Sequence, residues 1–130
     1  MSERVTYGLR AKFRKAAEDE TATNAFMDDC LQLARLADPD LDSLSPTFRL
    51  QLVVSLAVQR LMEWAYRQPG HQEANTSQAL IGGFTALGIA TAEIGFDEME
   101  VVKRGGVAFL TAHQDRESPN VPMQRRKPDA

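Results

Sequence analysis

An all-α fold is what this sequence predicts: a compact four- to five-helix bundle around a central buried helix, with an extended C-terminal tail. Three observations predict it. Apolar residues return every three or four positions along most of the 130 residues, the period of a helix rather than a strand. Helix-start residues stand where these periodic runs begin, most clearly Ser45-Pro46 and Asp97 with Glu100 three residues on. Only residues 101–111 offer a strand-like alternative, two short runs around Gly105-Gly106, and nothing else in the chain reads as a strand to pair with them.

The first periodic run covers residues 4–17, with Val5, Leu9, Phe13 and Ala16 on one face and Arg4, Arg10, Arg14 and Lys15 on the other. A break within residues 18–23 precedes a second helix, for which Thr21 or Thr23 is the expected cap. Phe26, Cys30, Leu33 and Ala37 form its apolar line, so Cys30 reads as a buried thiol rather than a nucleophile. The acidic connection of residues 38–44 alternates Asp38, Asp40 and Asp42 but lacks the glycine and terminal glutamate of a calcium loop.

Residues 45–70 form the central helix. Ser45 can accept from a free amide of the first turn, and Pro46 at the first helical position lacks an amide that would be orphaned anyway. Pro69-Gly70 ends the segment. On a helical wheel Leu50, Val53, Val54, Ala57, Val58, Leu61, Met62, Trp64 and Ala65 cover roughly half the circumference, at about 100° per residue. Phe48, Leu52, Leu56 and Tyr66 make the second side apolar as well. A helix of this kind is expected to be mostly buried.

Asn75 or Thr76 is the expected cap of a fourth helix over residues 77–96. Its small residues Ala79, Gly82, Gly83, Ala86 and Ala90 make a stripe with little side-chain bulk, expected to pack against a partner helix, the central one or that of a second copy. The GGFTALG segment lacks the lysine and hydroxyl of a P-loop and the spacing of a dinucleotide site. Asp97 then caps a fifth helix, with Phe96 and Val101 placed as a hydrophobic staple. The domain organisation expected is one helical domain over residues 1–117 and an extended basic tail over 118–130, which holds three prolines and a cluster of Arg125, Arg126 and Lys127.

A net charge of −3 hides blocks of opposite sign: +4 over residues 1–15, −7 over 16–44, +2 over 45–71, −5 over 72–100 and +3 over 101–130. Such blocks neutralise one another within a fold or across a subunit contact, and they leave room for a positive face on an acidic protein. One cysteine excludes an internal disulfide, and no signal peptide or bilayer-length apolar run is seen, so the expectation is a cytoplasmic protein without a membrane partner.

Residues that carry chemistry are few. His71 and His113 stand outside any metal-ligand spacing, and no nucleophile motif is present, so neither metal, cofactor nor catalytic residue is expected. Glu63 and Glu93 form a carboxylate pair only if their helices face each other. The most informative polar feature is Arg49, Arg60 and Arg67, at intervals of 11 and 7 residues. They fall within about 20° of one line and span roughly 27 Å. Pairing with the acidic blocks is one account. A guanidinium track on phosphates, flanked by Phe48, Leu52, Leu56 and Tyr66, is the other.

The function expected from this is a non-catalytic helical subunit or adaptor of a larger assembly. A nucleoprotein or mobile-element complex, phage or CRISPR-type, fits by size and class. Protein subunits are the expected partners, as homo- or hetero-oligomer. Nucleic acid comes second, through Arg49, Arg60, Arg67, Arg4, Arg10, Arg14 and Lys15. The alternatives are a DNA-binding regulator, for which no helix-turn-helix is evident, and a small helical ligand-binding protein or enzyme.

Overall fold

A computed structural model describes residues 2–115, with side chains from Gly8 onward. Five helices follow in order: α1 (Ser2–Ala17), α2 (Glu20–Ala37), α3 (Pro46–Tyr66), α4 (Gln72–Ile94) and α5 (Glu98–Gln114), with a 3-10 turn at Leu41–Ser43 before α3. The fold is all-α, and there is no strand among the described residues. Residues 101–111 are helical through both glycines, so the hairpin alternative does not form. The tail expected over 118–130 lies outside the described residues.

Local chemistry accounts for most helix ends. Ser45 Oγ accepts from the Phe48 amide at 3.4 Å, with Pro46 at the first helical position as expected. Asp97 accepts from both Met99 and Glu100 amides at 3.1 Å. Glu100 does not complete the reciprocal capping box; its carboxylate accepts from Arg104 Nε at 3.2 Å instead. Two starts differ from expectation. Asp19, not a threonine, caps α2 by accepting from the Ala22 amide at 3.0 Å. In α4, His71 Nδ1 accepts from the Ala74 amide at 3.3 Å, so the helix begins five residues earlier than expected. Asn75 serves the preceding corner, donating from Nδ2 to the Gln68 carbonyl at 2.9 Å. That corner turns at Gly70, whose φ of +111° is open to glycine and costly for other residues.

Contacts divide the chain into two units, Met1–Ala86 and Leu87–Ala130. In the first, α2 packs chiefly on α3, and α1 touches α2 more lightly. Cys30, Ala34, Leu41 and Val53 form its buried core, with Leu31, Leu44, Leu52, Leu56 and Ala57 packed around it. The core sits at the ends of α2 and α3 nearest their connection; from Glu20 to Asp29 every residue of α2 is exposed. Asp38 Oδ1 accepts from the Asp40 amide at 3.0 Å, so this aspartate shapes the connection.

The second unit holds the end of α4 and α5. Gly95 at φ +97° closes α4, and the Phe96 amide donates back to the Thr91 carbonyl at 3.0 Å, the six-to-one bond of a Schellman ending. Ile89 is buried. No residue of α5 is, although Phe109 stacks on His113 with ring centroids 5.8 Å apart.

The expectation of a buried central helix needs correction. Only Val53 and Ala65 of α3 are buried, and of the two only Val53 belongs to the core that α2 covers. The side that α2 covers is also not the one with the greater apolar weight. Leu52 and Leu56, placed on the second side by the wheel, join Val53 and Ala57 at the core.

Candidate interaction surface

On the open side of α3, Leu50, Val54, Val58, Leu61 and Trp64 are each between 53% and 68% exposed. At about 100° per residue they fall within roughly 60° of a common line. A rise of about 1.5 Å per residue makes the stripe about 21 Å long. Helix formation is local and does not require this face to be covered, because the Ser45 cap and the α2 contact already hold α3 in place. The stripe is therefore presented by a positioned helix rather than by a loop.

Arg49, Arg60 and Arg67 share an angular position with Val53 and Leu56, the face that meets α2. They do not make one unbroken track, since apolar side chains of the core lie between the first two. Arg60 Nη1 donates to Glu63 Oε1 at 2.6 Å within α3. Arg49 is half-buried, Arg67 is exposed, and neither forms an ion pair with a described residue. Of the flanking positions, Phe48 and Tyr66 are exposed, whereas Leu52 and Leu56 are committed to the core. On α1, Arg14 and Lys15 are exposed and Arg10 is half-buried; the Arg4 side chain lies outside the described ones.

The small-residue stripe of α4 is open. Among the described residues no atom lies within 4 Å of a Cβ built on Gly82 or Gly83, so the central helix, one of the two expected neighbours, does not approach there. Ala79 and Ala86 are half-buried and Gly82 and Gly83 exposed in the first unit; Ala90, in the second, is exposed.

Groups that could carry chemistry are dispersed or engaged. Cys30 is buried in the core as expected. Glu63 is held by Arg60, and Glu93 belongs to the second unit. Among the described residues no three of His, Cys, Asp and Glu gather where they could hold a metal ion. No described helix is long and apolar enough to cross a membrane. A shallow groove at the α3–α4 corner is lined by Tyr66, Pro69, His71, Thr76 and Leu80 among others. Sequence does not announce the capping role of His71; its position one residue before Gln72 is the only local signal for it. Comparison with protein-family models, with curated proteins and with solved structures finds no match.

Proposed function

We propose that this chain is a non-catalytic helical subunit or adaptor of a larger assembly, joined to it through the apolar stripe of α3. The observation that carries the reading is the stripe itself. A single exposed leucine is ordinary, but five large apolar side chains aligned on one anchored helix mark an interaction surface. Stripe and anchor are separate, so the first can be changed without touching the second. Capture from the producing cells with tagged chain tests this. The wild type should retain binding components, additional copies of the chain included, that Leu61→Glu loses while keeping its helical circular dichroism. Equal retention by both would count against the stripe.

A phosphate-contacting role within a nucleoprotein is the second reading. It is favoured by Arg67, Lys12, Arg14 and Lys15, exposed and without an ion pair to any described residue. Binding to single- and double-stranded nucleic acid should then fall steeply with salt. Changing Arg49 and Arg67 together to glutamine should lower the log–log slope by about two, one for each phosphate no longer neutralised. No retention on heparin at low salt would remove this reading and leave protein assembly standing.

A further inference from the structure

We propose that the α3–α4 corner is a pH-sensitive hinge: the first turn of α4 is held while His71 is neutral and released when its imidazole takes up a proton. The amides of a helix's first turn have no acceptor within the helix and must find one elsewhere. Here the Ala74 amide donates to His71 Nδ1 at 3.3 Å, and the Asn75 amide donates to the His71 carbonyl at 2.9 Å. Asp19, Ser45 and Asp97 cap their helices through oxygen. A hydroxyl or carboxyl oxygen keeps a lone pair to accept with, whatever its protonation. An imidazole accepts only in its neutral form; once protonated, both ring nitrogens are donors. The imidazolium also sets a positive charge at the positive end of the helix. Both effects act in one direction, so opening of the turn is coupled to proton uptake, grows as pH falls and reverses as it rises.

What the turn carries makes its release matter. Asn75, in that turn, donates from Nδ2 to the carbonyls of Gln68 at 2.9 Å and Pro69 at 3.4 Å. These bonds tie the start of α4 to the end of α3 across Gly70, at φ +111°. The first-unit part of α4 packs little on α3, so the bonds rather than a shared core set the corner. When residues 72–75 leave the helix, Asn75 loses the position from which it reaches both carbonyls, and the chain is free to bend at Gly70. Facing His71 in the corner groove are Glu73 of α4 and Tyr66 of α3, with Arg67 adjoining at the end of α3. His71 forms no ion pair with a described carboxylate. Neighbouring charges bear on the pH at which the ring charges; none of them restores its acceptor.

Carbon-13 NMR on the full chain is the test, between pH 8 and pH 5, the interval in which a histidine ordinarily titrates. The α-carbon shifts of Gln72, Glu73, Ala74 and Asn75 should be helical at pH 8 and move toward coil values by pH 5. Their midpoint should be that of the His71 ring resonances, and the helical population of the turn should fall about twofold or more. The Asn75 side-chain amide should move with them. His71→Asn, which caps through oxygen, should stay helical at both pH values, and His71→Ala should be frayed at both. His113→Gln, which removes the other histidine, should leave the response intact. Shifts that stay helical in the wild type at pH 5, or the same drift in His71→Asn, would overturn the hinge.

Discussion

Replacing Leu41 by alanine is expected to destabilise the first unit by about 3 kcal/mol, the middle of the range for a buried leucine whose surroundings collapse only in part. Among the described residues Leu41 is the only large side chain with less than 2% exposure. It stands on the 3-10 turn, whose Leu44 amide donates to the Leu41 carbonyl at 3.1 Å. From there it fills the space that α2 and α3 leave beside Cys30, Ala34 and Val53. With so few buried residues, the loss is large against the roughly 5–15 kcal/mol typical of a whole domain. Urea denaturation followed at 222 nm should show a lower midpoint with an unchanged slope. Leu36→Ala is the matched control: Leu36 is 79% exposed and its truncation should change stability by less than about 0.5 kcal/mol.

Ala34→Asp should cost more, and its cost should depend on pH. Ala34 is wholly buried where α2 meets α3, and no buried polar residue stands among the described ones to receive a carboxylate. Burial without a donor disfavours the charged form, so the introduced carboxyl should have a raised pKa in the fold. The unfolded chain then releases its proton first, near pH 4. The deficit relative to wild type should therefore grow as pH rises through that value and level off above the raised folded-state pKa. In acid it should shrink toward the cost of steric crowding alone. Denaturant titrations at pH 3.5 and 8 measure both limits. A deficit independent of pH would mean that Ala34 is not enclosed.

Features with a local cause are legible in the sequence. Ser45 with Pro46, and Asp97, declare themselves because a cap is decided within four residues. Cys30 is legible as core because it lies amid a periodic apolar run. The start of α2 is ambiguous because Asp19 competes with two threonines of similar capping ability. His71 escapes notice because an imidazole nitrogen is an uncommon cap. The orientation of α3 is hidden for a different reason. With apolar residues on both sides, either face satisfies periodicity, and only the packing partner chooses. Here α2 arrives from a short connection and takes Leu52, Val53, Leu56 and Ala57. The same choice carries the arginine line toward α2 and leaves the heavier apolar side uncovered. The glycines of α4 suggest a close neighbour, and among the described residues none comes within 4 Å of a Cβ built on Gly82 or Gly83.

Two opposed faces of α3, one seated and one open, underlie the proposed role of this chain, and cysteine accessibility reads them residue by residue. In the Cys30→Ser background, single cysteines at Leu50, Val54, Leu61, Val53 and Leu56 would be reacted with a maleimide at nanomolar protein concentration, where copies are separate. Cysteines at Leu50, Val54 and Leu61 should react nearly as fast as a free thiol, and those at Val53 and Leu56 at least tenfold slower. The opposite order, or uniform protection of all five, would contradict the account.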